Sequence, residues 1–192
     1  MLNSEFAVRG IFELFRMRNQ NNNCMTEQDT RLKNLHSMDW DERWHMAANP
    51  DATAEALAVL ATDEDWIVRS AAAHNKNTPP DALDRLAGDE DWRVRQAVAE
   101  NPSAPAEALA VLATDEDNKV RLVAAGNPNV TENVLLRAYR DRSPSVREAV
   151  ARNPKIPPEA VKRLSLSKVS RIRRALAKNP AVPEHIRVGL SL

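Results

Sequence analysis

The chain is 192 residues long, with 43% hydrophobic and 28% charged residues, and its 27 basic side chains balance its 27 acidic ones. This composition is typical of a folded protein rather than a disordered one, and a single cysteine, Cys24, excludes an internal disulfide framework. The lone cysteine favours a reducing compartment. We expect a bacterial cytoplasm, because no stretch has the apolar core of a signal peptide or the length to span a membrane.

The charges are separated along the chain, although they cancel in total. Residues 49–126 hold 15 acidic and 7 basic side chains, a net charge of −8, whereas residues 127–192 hold 5 acidic and 14 basic ones, a net charge of +9. The first 48 residues contribute −1. A rod with ends of opposite sign would steer a charged partner, or a second copy of the chain, toward the matching end.

Residues 1–36 precede the repeats and are predicted to be a non-repeat helical cap region. Residues 4–18 fit an amphipathic helix, with Phe12 and Phe15 among the apolar side chains on one side. An asparagine-rich stretch, residues 19–23, separates this helix from the rest of the chain. Two interpretations remain open: the helix covers the apolar end of the first repeat, or it docks into a groove of a partner.

A regular asparagine marks a repeat in the rest of the chain. Asparagine recurs every 26 residues from Asn49 to Asn179, and proline follows it in every copy except Asn75. A fixed period of this length is typical of stacked identical units, so residues 37–192 are predicted to form an all-α solenoid. We expect the asparagine to adopt the left-handed conformation that ends a helix, with proline preventing its continuation.

Each unit contains two helical patterns. The first predicted helix starts near Pro80 or Thr131 in two of the units and carries an apolar stripe that includes Leu83. An Asp-Glu-Asp turn then caps the second predicted helix, whose alanines allow close packing and which is a few turns long or partly 3₁₀. The last unit has a first helix alone, and we expect Ile186 and Leu190 to cap the array.

An arginine follows the first aspartate of the turn by six residues, as Arg95 follows Asp89. One interpretation is a ladder of ion pairs, in which each arginine bridges carboxylates of its own unit and a neighbouring unit; the other is a substrate clamp. Recurrence favours the ladder, because a scaffold needs the same residues in every unit and a site needs them once. Arg173 is an exception, since Ser167 and Val169 replace the aspartates, so it either reaches another repeat or is available to a ligand.

Trp40, Trp66 and Trp92 are also 26 residues apart and are expected to pack at the start of successive second helices. Alternatively they form, with Trp44, a partly exposed aromatic strip suited to a peptide or a base. The sequence has no phosphate-cradling loop and no metal-ligand spacing, and the acidic triplets are better explained as helix caps than as calcium ligands. We therefore predict no enzyme activity, no cofactor and no metal site.

The recurring pattern Asn-Pro, Pro-x-Glu-Ala-Leu, Leu-Ala, Asp-x-Asp and Val-Arg-x-Ala-Val-Ala resembles the leucine-rich repeat variant family and is more distantly similar to HEAT-like repeats. The resemblance covers roughly residues 37–192. It implies a right-handed superhelix of paired short helices, with one layer α-helical and the other partly 3₁₀. Some members of the family carry an N-terminal cysteine cluster that holds an iron–sulphur centre, which Cys24 alone does not supply.

The predicted function is a non-enzymatic scaffold that binds a protein partner along its concave surface. Positions two, five and nine after the second aspartate vary from unit to unit and are expected to form the exposed face of the second helices. The predicted partner-binding residues on this face are Arg152, Arg171, Arg174, Lys178, Arg93, Gln96 and His74. The basic members favour an acidic protein surface, including the acidic segment of a second copy, and the simpler interpretation is a solvated face.

Nucleic-acid binding is the alternative function, conceivably with DNA-repair chemistry as in HEAT-like glycosylases. The basic C-terminal half and the tryptophans favour it, but the net charge of −8 over residues 49–126 would repel a duplex lying along the rod. A third alternative, electron transfer or assembly of a metal cluster, rests on the family resemblance, and the missing cysteines count against it.

Overall fold

A computed structural model describes residues 38–190, and these residues form twelve α-helices and no strand. In chain order the helices are α1 (Trp40–Ala48), α2 (Ala54–Leu60), α3 (Trp66–His74), α4 (Pro80–Leu86), α5 (Trp92–Glu100), α6 (Ala106–Leu112), α7 (Asn118–Gly126), α8 (Glu132–Ala138), α9 (Pro144–Arg152), α10 (Pro158–Ser165), α11 (Ser170–Lys178) and α12 (Glu184–Leu190). The first helix of each unit is even-numbered and the second is odd-numbered. Consecutive helix pairs packed in this order form the predicted α-solenoid. The predicted N-terminal helix and Cys24 lie outside the described residues.

The residues that start each helix are those that the sequence indicates. Asp65, Asp91 and Asp117 each accept a hydrogen bond from the backbone N–H two residues on, with O···N distances of 2.7–2.9 Å. A carboxylate at this position also stabilises the positive end of the helix dipole. First helices begin differently: Pro80 is the first residue of α4, and Thr131 directly precedes α8. Proline fits there because the first helical turn needs no backbone N–H from it.

The core runs along the axis of the array. Leu83 and Leu86 of α4 are buried, as are Val94 and Ala97 of α5, and the same types recur in neighbouring units. Successive second helices pack closely on one another, whereas successive first helices barely touch. The second helices therefore form the more closely packed layer of the array. At the C-terminal end α12 packs against α11, with Ile186 partly buried against the core.

One local expectation is wrong, and one of two alternatives for the second helices is confirmed. The asparagine after each second helix is extended, with φ −71° and ψ 125° at Asn75, and no residue from 38 to 190 has a positive φ. The residue before a proline favours this extended region, but Asn75 precedes a lysine, so a following proline is not required for the conformation. The second helices are α-helical over nine residues, which agrees with the predicted length of a few turns and not with the partly 3₁₀ alternative; the first helices are shorter.

Candidate partner-binding surface

The recurring asparagines join neighbouring units by hydrogen bonds. Asn101 is 1% exposed, and its Nδ2 donates to the carbonyl oxygens of Ala73 at 2.6 Å and Asn75 at 2.9 Å in the preceding unit. Its Oδ1 accepts from the backbone N–H of Ser103 at 2.7 Å. Equivalent contacts recur at asparagines 75, 127, 153 and 179. The asparagine therefore satisfies carbonyl groups at the end of the neighbouring helix and fixes the stacking of the units.

The recurring arginines also join neighbouring units, through a contact that we call the arginine fork. In the fork of Arg95, Nε and Nη2 donate to the two carboxylate oxygens of Asp115 in the next unit at 2.6 and 3.0 Å. Its Nη1 donates to the backbone carbonyl oxygens of Asp89 and Glu90 at 2.8 and 3.1 Å. The other forks with a carboxylate are Arg43–Asp63, Arg69–Asp89 and Arg121–Asp141.

The inter-unit half of the predicted ladder is confirmed, and the half within one unit is wrong. Arg95 binds backbone oxygens of its own unit, not a carboxylate there. The Asp89 carboxylate is already occupied, because it accepts from Arg69 of the preceding unit and from the backbone N–H of Asp91. Each arginine is thus shared between the turn of its own unit and the aspartate of the next.

Burial and neighbouring charges have opposite effects on the pKa values of the fork residues. The side chain of Asp115 is 7% exposed and that of Arg95 is 11% exposed. Burial of Asp115 acts to raise the pKa of its carboxyl. Hydrogen bonds from Arg95 and from the Asp117 N–H act in the opposite direction, as do the charges of Arg95 and Arg121. Together they outweigh burial and hold the pKa of Asp115 below its usual value. The hydrogen bond with Asp115 is the largest cause that raises the pKa of Arg95. Both groups are therefore charged near neutral pH.

Two arginines of the ladder, Arg147 and Arg173, have no carboxylate partner within residues 38–190. Because each arginine reaches the aspartate 20 residues on, Ser167 occupies the position that Arg147 would use. Nη1 of Arg147 keeps its contacts with the carbonyl oxygens of Asp141 and Arg142, but no carboxylate of residues 38–190 contacts the rest of its guanidinium. Nη1 of Arg173 donates to the carbonyl oxygen of Ser167. The prediction that Arg173 lacks an aspartate is thus confirmed, but Ser167 is the position that Arg147 of the preceding unit would reach.

The tryptophans begin second helices, and two of them are covered by a cation from the next unit. The guanidinium carbon of Arg93 lies 3.4 Å from the centroid of the Trp66 ring, and Nζ of Lys119 lies 4.2 Å from that of Trp92. Both rings also pack against the core. Trp40 is different, with 49% of its surface exposed. The packing interpretation therefore fits Trp66 and Trp92, since a cation already occupies one face of each ring.

Three of the predicted partner-binding residues lie in the acidic half and are engaged by carboxylates of the chain. His74 Nε2 is 2.9 Å from a carboxylate oxygen of Glu100, and Gln96 donates to the other oxygen of Glu100 at 2.7 Å. Arg93 pairs with Asp91 at 2.6 Å. The structure thus brings His74 and Gln96 together on Glu100, while Arg93 is held by its own helix start.

The other four predicted residues meet at the basic end, where they line one open concavity of about 320 Å³ with α9 on one side and α11 on the other. We call Arg152, Arg171, Arg174 and Lys178 the basic cluster. All four are exposed. Glu148 is the one carboxylate in this lining, and it pairs with Arg152 and, at 3.3 Å, with Arg171. The cluster therefore has an excess of positive charge, and neither Arg174 nor Lys178 forms an ion pair within residues 38–190.

Other features of the described part of the chain concern metals, membranes and a second concavity. Within residues 38–190, no three His, Cys, Asp or Glu side chains are grouped so that they could hold a metal ion. None of the twelve described helices is long and apolar enough to cross a membrane. A further open concavity of about 530 Å³ is lined by Trp44, Ala71 and His74 among others, at the acidic end of the second-helix face.

Comparison with known protein families matches residues 66–91 and residues 92–117, each to the family described as leucine rich repeat variant. No curated protein matches the chain. The two matched segments begin at the first residues of α3 and α5, so each family unit comprises a second helix followed by the first helix of the next 26-residue unit. The family resemblance of the sequence is confirmed over these two adjacent repeats.

Proposed function

We propose, on the premise that residues 66–117 are two leucine rich repeat variant units, that this array is a non-enzymatic scaffold whose second-helix face binds an acidic surface of a protein partner. Helical repeat arrays present extended concave surfaces of this kind. The observation that carries the proposal is the basic cluster, in which four exposed cations line one concavity together with a single carboxylate, Glu148, that pairs with two of them. Since the core does not need these cations, their grouping is available for recognition.

Variation along the second-helix face supports a role in specificity. The core and both ladders repeat from unit to unit, but the half-buried and exposed positions of the second helices, five and nine residues after the position of the second turn aspartate, do not. Those positions hold Gln96 and Glu100 in α5, Leu122 and Gly126 in α7, Glu148 and Arg152 in α9, and Arg174 and Lys178 in α11. A constant frame with variable surface residues allows one partner to be bound while others are rejected by unmatched charge.

An acidic protein surface fits the array better than a nucleic acid does. The basic cluster is compact, whereas a duplex lying along the rod would also meet the acidic turns at residues 63–65, 89–91 and 115–117. The rings of Trp66 and Trp92 each have a face covered by a cation and are poorly available for stacking on bases. Nucleic-acid binding through the basic cluster alone remains the second candidate. A cytoplasmic location stays a prediction.

Charge reversal tests the proposal. Arg174→Glu combined with Lys178→Glu reverses the two cluster cations that are not paired with Glu148. The matched control is Lys162→Glu combined with Arg163→Glu, which makes the same change of charge at exposed positions of the first helix in the same unit. We expect wild type and control to capture the same partner from the native host, and the cluster variant to lose it. Capture should also weaken as salt increases, because exposed charges are screened.

Three outcomes separate the candidates. If the cluster variant captures every partner as well as the control does, the basic cluster is only a solvated face. If wild type retards a DNA or RNA fragment in a gel and the cluster variant alone fails to do so, nucleic-acid binding replaces protein binding. If the variant changes only the sedimentation of the pure chain, the bound surface is the acidic segment of a second copy, with residues 49–126 as its source.

A further inference from the structure

Arg147 is held like the other arginine forks, although no aspartate faces it. In the four complete forks, Nε lies 2.6–2.8 Å from a carboxylate oxygen of the next unit. In three of them Nη1 also binds two backbone carbonyl oxygens of the preceding turn. Nη1 of Arg147 makes the same two contacts, with Asp141 and Arg142. The two shared contacts indicate the guanidinium orientation of the complete forks, in which the Nε–Nη2 edge points toward the position 20 residues on, here Ser167.

Ser167 offers an arginine fewer hydrogen-bond acceptors than the aspartate of a complete fork does. Oγ of Ser167 accepts from the backbone N–H of Val169 at 3.2 Å, which repeats the contact between the Asp115 carboxylate and the Asp117 N–H at 2.8 Å. The Ser167 hydroxyl thus supplies the oxygen that accepts the turn hydrogen bond. The serine side chain is one bond shorter than that of aspartate, and it has no second oxygen that could accept a hydrogen bond from the arginine. An arginine edge that donates two parallel hydrogen bonds matches the two oxygens of a carboxylate.

The turn that follows Arg147 in the ladder carries a positive charge, whereas the turn that follows Arg95 carries negative charges. The turn at residues 115–117 reads Asp-Glu-Asp, whereas the corresponding turn at residues 167–169 reads Ser-Lys-Val. The exposed Glu116 lies 3.7 Å from Nη2 of Arg95, and Lys168 occupies the equivalent register position in the unit after Arg147. Arg173 completes the group, since its Nη1 donates to the carbonyl oxygen of Ser167. Arg173 therefore contacts position 167, and the two other cations occupy the register positions next to it: Arg147, 20 residues before it, and Lys168, directly after it.

We propose that Arg147, assisted by Arg173 and Lys168, binds a carboxylate that comes from outside the chain, either a free small acid or an acidic side chain of a partner. The four complete forks provide the geometry, because each holds a carboxylate on the same arginine edge. Arg147 is only partly buried and Lys168 is exposed. The site uses none of the basic cluster and is independent of the function proposed above.

Nuclear magnetic resonance of the arginine Nε–Hε groups tests this site on the full chain. The probes are sodium formate and a blocked peptide with one glutamate, each exchanged against chloride at constant ionic strength. The Arg147 signal, identified by its loss in Arg147→Lys, should shift along a saturable curve. The Arg95 signal should stay in place, because that edge already holds Asp115. If both probes saturate the signal, the site accepts the acidic side chain of a partner. If formate alone saturates it, the site accepts only small free acids.

Supplying the carboxylate within the chain gives the matched test. Ser167→Asp restores the residue of the complete forks, so the Arg147 signal should move toward that of Arg95 without formate and should no longer respond to formate. Ser165→Asp adds the same charge two residues away and should keep the response. The proposal is overturned if wild type shows no saturable response to either carboxylate, if inorganic phosphate alone produces one, or if both aspartate variants lose it equally.

Discussion

Replacing Arg95 by methionine should reveal how much stability the buried forks contribute. The change leaves the Asp115 carboxylate, 7% exposed, without its cation, and it removes the donor to the carbonyl oxygens of Asp89 and Glu90. Methionine retains an unbranched apolar stem, so the cavity is small. Removing one partner of a buried ion pair costs about 3–5 kcal/mol, because the other charge is left without compensation. We expect a loss of that size in the free energy of unfolding.

Arg147→Met is the matched control for this prediction. It removes the same side chain and the same two backbone contacts, to Asp141 and Arg142, but it leaves no carboxylate behind. Loss of these hydrogen bonds should cost about 1–2 kcal/mol. The difference between the two variants therefore measures the penalty of the unpaired carboxylate of Asp115. The carboxylate of Asp89 should be unaffected in both variants, because Arg69 still binds it.

Urea denaturation followed by circular dichroism gives the two free energies, and amide hydrogen exchange in α5 and α7 locates the loss. Exchange is needed because repeat arrays can unfold in parts rather than in one step. Equal losses in Arg95→Met and Arg147→Met would refute the reasoning. A loss below about 1 kcal/mol for Arg95→Met would show that solvent screens the fork as it does a surface pair.

Acid should weaken the array, since the Asp115 and Asp141 carboxyls have lowered pKa values in the folded chain and the unfolded chain therefore binds more protons. Their stabilisation is present above the unfolded pKa, near 4, and is lost as pH falls through the lower folded values; a urea midpoint unchanged between about pH 5 and pH 2 would contradict this. Leu83→Ala, at a fully buried position, should cost about 2–5 kcal/mol by urea denaturation; a loss below about 1 kcal/mol would indicate that the units close over the cavity. Asn101→Asp should lower the urea midpoint more than Asn101→Ala, because it sets a carboxylate against the carbonyl oxygen of Ala73; equal midpoints would argue against a donor role for Asn101.

The sequence by itself determined the repeat, the helix pairs and the core. Apolar spacing within one unit places Leu83 and Leu86 on one buried side of α4, and Asp91 identifies the start of α5. These features depend on residues a few positions apart, whose relative placement is fixed once a helix forms. The exposed positions of the second helices follow from the same periodicity. The grouping of Arg174 and Lys178 on one side of α11 could therefore be predicted, although their partner could not.

Only the tertiary structure decided which residues meet between units. Because the period is 26, an arginine six residues after one aspartate is always 20 residues before the next, so both pairings recur with equal regularity in the sequence. The stacking of the units, and the direction in which Arg95 leaves α5, select Asp115 of the next unit. The same stacking gives Asn101 its contacts with the preceding unit. It also means that the serine at position 167 leaves Arg147, rather than an arginine of its own unit, without the aspartate of a complete fork. Local patterns leave these choices open because they contain no information about the rise from one unit to the next.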